Sequence, residues 1–112
     1  MVNIKKLLKK EEIDLVFEKG EKIVSPFFVC YLYRADQVDL IDYLIIASKK
    51  VGIAVKRNRA KRILRVMVNN TKDFLVSRNV KHIILIARKD ILKKKSTELV
   101  DMVLKKLERI GG

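Results

Sequence analysis

The sequence is poor in the residues from which most catalytic and metal sites are built. It has one cysteine, Cys30, and one histidine, His82, in 112 residues. A lone cysteine forms no intramolecular disulfide and no cysteine-based zinc site. A lone histidine rules out sites needing two His ligands and leaves no spare for a Ser-His-Asp group. One proline and four glycines give the chain little punctuation, so each break is informative. No apolar run approaches the ~20 residues of a membrane span. Residues Met1 to Lys10 lack a long apolar region and a small-residue cleavage site, so no secretory signal is expected there. The expected location is cytoplasmic. Acids are scarce too: 13 Asp+Glu face 26 Lys+Arg, a net charge of +13. An excess of that size points to a polyanionic partner, nucleic acid or an anionic surface.

What is present suits a single folded domain. The length allows one domain, and a 49% hydrophobic share supplies a core. Ile13, Val16 and Phe17 recur at helical spacing over 11–18, and Lys19-Gly20 ends that helix. Residues 1–9 read as an extended or separate lead-in. Strands are expected at 22–25, stopped by Pro26, and at 27–33, 43–47 and 82–87, rich in aromatic and β-branched residues. Residues 34–42 read as a connector. A helix is expected over 56–70, with Asn69-Asn70 a plausible end, and 72–80 is ambiguous. The last helix, 97–110, carries Val100, Val103, Leu104, Leu107 and Ile110, with Ser96 or Thr97 as its cap. The order α-β-β-β-α-β-α predicts an α+β fold, a two-layer α-β sandwich with helices on one sheet.

The positive charge is concentrated. Between Lys49 and Arg65 stand Lys49, Lys50, Lys56, Arg57, Arg59, Lys61, Arg62 and Arg65, with no acid among them. On a helical wheel Arg57, Lys61, Arg65, Asn58 and Arg62 share one arc. Ala60, Ile63, Leu64 and Met67 share the other, with Arg59 on the border. An ordinary solvated face mixes signs, whereas Arg57, Lys61 and Arg65 repel at successive i, i+4 steps. A phosphate backbone offsets that repulsion, and arginine forks onto phosphates and stacks on bases. A second cluster, Arg88, Lys89, Lys93, Lys94 and Lys95, follows the 82–87 strand. It reads equally as an extension of the footprint and as a solubilising loop.

No constellation for hydrolysis stands out. Metal-assisted phosphodiester cleavage needs clustered carboxylates. Glu11, Glu12, Asp14, Glu18 and Glu21 fall around the first helix, and Asp36, Asp39 and Asp42 on the connector. The latter three match no metal motif and read as a solvated loop. No catalytic residue and no dedicated metal site are therefore expected, and a self-sufficient nuclease is disfavoured. A structural RNA-binding protein of ribosomal type suits the basic helix equally; a basic protein coating membranes or DNA is a further rival.

Residues 48–65, SKKVGIAVKRNRAKRILR, resemble the signature of the bacterial ribonuclease P protein component. The resembling residues are Ser48-Lys49-Lys50, Val51-Gly52, Ala54-Val55, Arg57-Asn58-Arg59, Lys61-Arg62 and Arg65. The likeness extends through Leu8-Lys9-Lys10, Val16-Phe17 with Gly20, Phe28-Val29 with Tyr31, and Ile84 to Lys89. The resemblance implies the fold of ribosomal protein S5 domain 2, with a left-handed β-α-β crossover against the usual rule. It implies that Lys56, Arg57, Asn58, Arg59, Lys61, Arg62 and Arg65 bind a catalytic RNA subunit. It also implies a cleft for the single-stranded 5′ leader of precursor tRNA, formed by Ile13, Phe17, Phe28, Tyr31, Ser48, Lys49, Lys50, Arg88 and Lys89. Aromatic platforms beside cationic tracks are how single strands are held. Core packing is an equal reading for Phe17 and Phe28. By the same resemblance, Mg²⁺ acts through the RNA subunit, and no membrane or protein partner is required. This sequence departs from the family pattern at Ile13, at Asp42-Tyr43-Leu44 and at Val66.

Overall fold

Strands that are apolar on both sides need cover on both faces, and the helices supply it unequally. In the computed structural model, which describes residues 3–5, 9–38 and 40–110, a short strand comes first. The elements are β1 (Asn3–Lys5), α1 (Lys10–Lys19), β2 (Glu21–Val24), β3 (Phe28–Arg34), β4 (Leu40–Ile46), α2 (Ala54–Ser77), β5 (Val80–Ala87), a 3₁₀ turn (Lys89–Lys93) and α3 (Ser96–Ile110). The α-β-β-β-α-β-α order is present, preceded by β1. The five strands form one mixed sheet in the order β1-β4-β5-β3-β2. β2 and β5 pair antiparallel with β3, while β4 runs parallel to both β1 and β5.

Most boundaries shift by one or two residues from the sequence reading, and three departures are larger. Part of the 1–9 lead-in is a strand, because Asn3–Lys5 pairs with Leu40–Asp42. The same pairing turns the end of the 34–42 connector into strand. α2 runs past Asn69-Asn70 to Ser77. Those asparagines are exposed, while Thr71 and Leu75 continue the buried stripe. The Thr71 hydroxyl donates to the Met67 carbonyl at 2.8 Å, so the helix absorbs its own polar group. α2 stops where Asn79 takes a left-handed conformation, φ 62°, which asparagine tolerates better than most residues. The side chains of Ile4, Leu7, Leu8, Ser96, Leu107 and Ile110, and all of Asp39, lie outside the described residues.

One face of the sheet is sealed by α2 and α3. Phe28, Cys30 and Leu32 of β3, Ile41 and Tyr43 of β4, and Ile83 and Leu85 of β5 pack there against Ala60, Leu64, Met67, Val68 and Leu75 of α2 and Leu99 and Val103 of α3. Each fully buried Val, Leu, Ile, Met or Phe side chain among them contributes about 1.5–3 kcal/mol. The wheel's apolar arc is thus the buried stripe of α2. Among the described elements, the other face carries α1 alone. There Val16 and Ile84 are the fully buried hydrophobic side chains among the described residues, flanked by half-buried Ile13, Tyr31, Tyr33, Leu44, Ile46 and Ile86. α1 starts where the Glu12 carboxylate accepts the Lys9 amide at 2.9 Å, which stabilises a helix N-terminus. It ends at Gly20, where a Cβ would strike the Val16 and Leu32 carbonyl oxygens.

Candidate nucleic-acid interface

Strand parity decides which side chains meet on the α1 face. Register aligns three rows across it: Tyr33 with His82 and Asp42, Tyr31 with Ile84 and Leu44, and Val29 with Ile86 and Ile46. α1 covers the first two rows in part, with Ile13 and Val16 beneath it. Beyond α1, a groove of about 600 Å³ is lined by Val29, Ser48, Lys50, Ile86, Ala87, Arg88 and Lys89. Its floor is the apolar strand row and its rim is cationic. Ser48, Lys50, Arg88 and Lys89 are all exposed, as is Lys49 beside them. The Arg88 guanidinium donates to the Ser25 carbonyl at 3.3 Å, which fixes its stem against the β2–β3 turn.

Aromatic side chains stand beside the groove. Phe17 of α1 meets Tyr31 edge-to-face, with centroids 4.8 Å apart and planes at 71°. Lys22 places its ammonium 5.6 Å from the Tyr31 ring. Phe17 is 40% exposed, large for an aromatic residue, and Tyr31 is half-buried. Ile13, an expected cleft residue, is half-buried and packs α1 onto the sheet. Phe28 is a correction. It is fully buried on the α2–α3 side. Side chains alternate faces along a strand, so its neighbour Val29 takes the groove position instead.

The basic helix presents its charge outward. Lys56, Asn58, Arg59, Arg62 and Arg65 are exposed, and Arg57 and Lys61 half-buried. No ion pair among the described residues involves a cation between Lys49 and Arg65. A first turn without acids leaves the positive end of the helix dipole uncompensated as well. Two large apolar side chains, Ile53 and Val55, stand 69% and 73% exposed at this helix start, which the sequence reading passed over. Gly52 turns the chain from Lys49-Lys50 into α2 at φ 144°, and a Cβ there would lie 2.8 Å from the Lys56 stem.

The family model for ribonuclease P matches residues 1–111. This chain belongs to the ribonuclease P protein family. The ribonuclease P protein component of Bacillus cereus strain AH187 is 31% identical over 106 residues, 95% of this chain and 90% of that one. That of Nitratiruptor is 43% identical over a shorter stretch, 60% of this chain and 59% of that one. The Staphylococcus aureus RNase P protein structure superposes with a TM-score of 0.72 at 26% identity, covering 94% of both chains. The Thermotoga maritima RNase P protein shares the fold, with a TM-score of 0.73 at 23% identity, covering 96% of this chain and 99% of that one. Membership implies RNA binding and tRNA processing, and ribonuclease P protein components act with an RNA subunit in a ribonucleoprotein. No helix among the described residues is long and apolar enough to cross a membrane.

One acid is placed unlike its reading. Asp42 is not on a solvated loop; it is buried in β4 with its carboxylate 3.3 Å from the His82 ring. Glu12 approaches the other side of that ring at 3.5 Å. The sequence holds these three 30 to 70 residues apart, and only the sheet brings them together. Cys30 is buried in the α2–α3 core, where desolvation pushes its thiol well above the ordinary range, so it behaves as packing.

Proposed function

We propose that this family member uses its two cationic surfaces on two RNAs. The outer arc of α2, with Lys56, Arg57, Asn58, Arg59, Lys61, Arg62 and Arg65, seats on the catalytic RNA subunit. The groove of Ser48, Lys49, Lys50, Arg88 and Lys89, beside Phe17 and Tyr31, takes the single-stranded 5′ leader of precursor tRNA. Leader bases stack on the exposed aromatic edges while the lysines track phosphates. Neutralising phosphates releases counterions, so the RNA–precursor encounter needs less divalent cation. The RNA subunit supplies the catalytic groups and holds the Mg²⁺, and the endonucleolytic cut leaves the mature tRNA 5′ end. The observation that carries this reading is the groove itself: an apolar floor and a cationic rim next to the exposed Phe17 and half-buried Tyr31.

The test is cleavage of a 5′-extended precursor tRNA at low Mg²⁺ with RNA subunit alone, protein alone, and both. Acceleration by protein only in the presence of the RNA is expected. An unaffected ribozyme would leave a structural RNA binder, and cleavage by protein alone would demand an active site in the chain.

A further inference from the structure

Two of the chain's few acids converge on its single histidine, under the N-terminal turn of α1. His82 is 4% and Asp42 9% exposed. His82 Nδ1 lies 3.3 Å from Asp42 Oδ2, and His82 Nε2 lies 3.5 Å from Glu12 Oε2. One donor atom from each residue falls within 4.8 Å of the other two. These are long for charge-assisted hydrogen bonds, which close to about 2.7–2.9 Å. Asp42 Oδ1 and His82 Nδ1 are sealed from solvent with no hydrogen-bond partner. A buried carboxylate oxygen without a donor is costly, and a cation is what removes that cost.

We propose that Glu12, Asp42 and His82 bind one divalent transition metal of the zinc class. Metal–ligand distances of about 2.0–2.2 Å put donor atoms roughly 3–4 Å apart, and one ion takes a single ring nitrogen, so the carboxylate that now faces the other nitrogen must swing round to complete the set. A set of one imidazole and two carboxylates suits Zn²⁺, Co²⁺ or Mn²⁺ better than Mg²⁺, which prefers oxygen and keeps its waters. The surroundings orient the donors. Tyr33 stacks on the His82 ring at 5.9 Å, and the Lys9 amide holds Glu12 Oε1, which aims Oε2 at the ring. A cavity of about 220 Å³, lined by Gln37, Val38, Leu40, Asp42 and Lys81, gives an approach from solvent on the Asp42 side. The bound ion would tie α1 to β4 and β5, where Val16 is the one fully buried side chain of α1. It would thereby fix the helix that carries Phe17.

The experiment is titration of the chelator-treated full chain, without RNA, with Co²⁺. Calorimetry, visible absorption and NMR of the His82 ring follow it, the last unambiguous because the chain has no second histidine. Saturation at one equivalent, with paramagnetic broadening of the His82 ring protons first, is expected. Loss of even an outer partner usually costs 10–100-fold in affinity, so Glu12→Gln and Asp42→Asn should each weaken binding by about tenfold or more. Should Asp42→Asn fail to fold, Glu12→Gln, on the more exposed α1, still decides. Absence of saturable binding, broadening elsewhere before His82, or unchanged affinity in folded Glu12→Gln overturns the proposal.

Discussion

The two faces of one sheet are covered unequally, and the difference separates stability from the binding proposed above. On the α2–α3 face Phe28, Cys30, Leu32, Ile83 and Leu85 are sealed. On the α1 face their immediate neighbours Val29, Tyr31, Tyr33 and Ile86 are half-buried beside a cationic groove. Ten residues of α1 stand over one face, against 24 of α2 and 15 of α3 over the other. A face left half-covered keeps apolar surface available for a partner, whereas a sealed face contributes only to the fold.

That division can be broken by substitution. Phe28→Ala on the sealed face should cost about 3–5 kcal/mol, read by urea unfolding. Its folded fraction should bind leader normally; a specific binding defect would erase the distinction between faces. Phe17→Ala on the open face should leave the urea midpoint nearly unmoved. Loss of one stacking platform should weaken binding of a 5′-extended precursor by about 1–3 kcal/mol, with mature tRNA unaffected. Equal loss for both RNAs would remove the leader from the groove. On α2, the double change Arg62→Ala and Arg65→Ala should lower the salt slope of binding to the RNA subunit by about two. An unchanged slope would mean that this arc does not face phosphates.

Smaller effects sharpen the contrast. Cys30 should react with a thiol reagent only as fast as the domain opens, since burial holds it as the protonated thiol. Glu98 probes the exposed start of α3. Its carboxylate is held below the usual range first by the Lys95 amide and then by the Lys94 side chain, at 3.3 Å each. A depressed folded value stabilises only the ionised form. The contribution is present above the ordinary value near 4.3 and is lost as pH falls through the lower folded value. Glu98→Gln should thus lower the melting temperature slightly at neutral pH, and the difference should vanish in acid.

Much of this was readable in advance. The period of Ala60, Leu64 and Met67 against Arg57, Lys61 and Arg65 gave α2 its two faces, because a helix repeats locally. The end of α2 was missed because Asn69-Asn70 suits a stop by composition, yet an exposed asparagine is tolerated when the buried stripe continues at Thr71 and Leu75. The resemblance placed Phe28 in the cleft with core packing an equal reading, and the sequence could not choose between them: FFVCYLY is apolar throughout, and an unbroken run carries no phase. The first strand escaped notice because a three-residue strand has no period of its own.

By itself the sequence determined the family, the helical elements and the polarity of the basic helix, all of which depend on residues near one another along the chain. Tertiary structure alone decided which of Phe28 and Val29 faces the groove, how Lys50 comes beside Lys89, and that Glu12 and Asp42 meet at His82. Those outcomes depend on strand register, where a shift of one residue exchanges the faces, and register is set by pairing between distant segments.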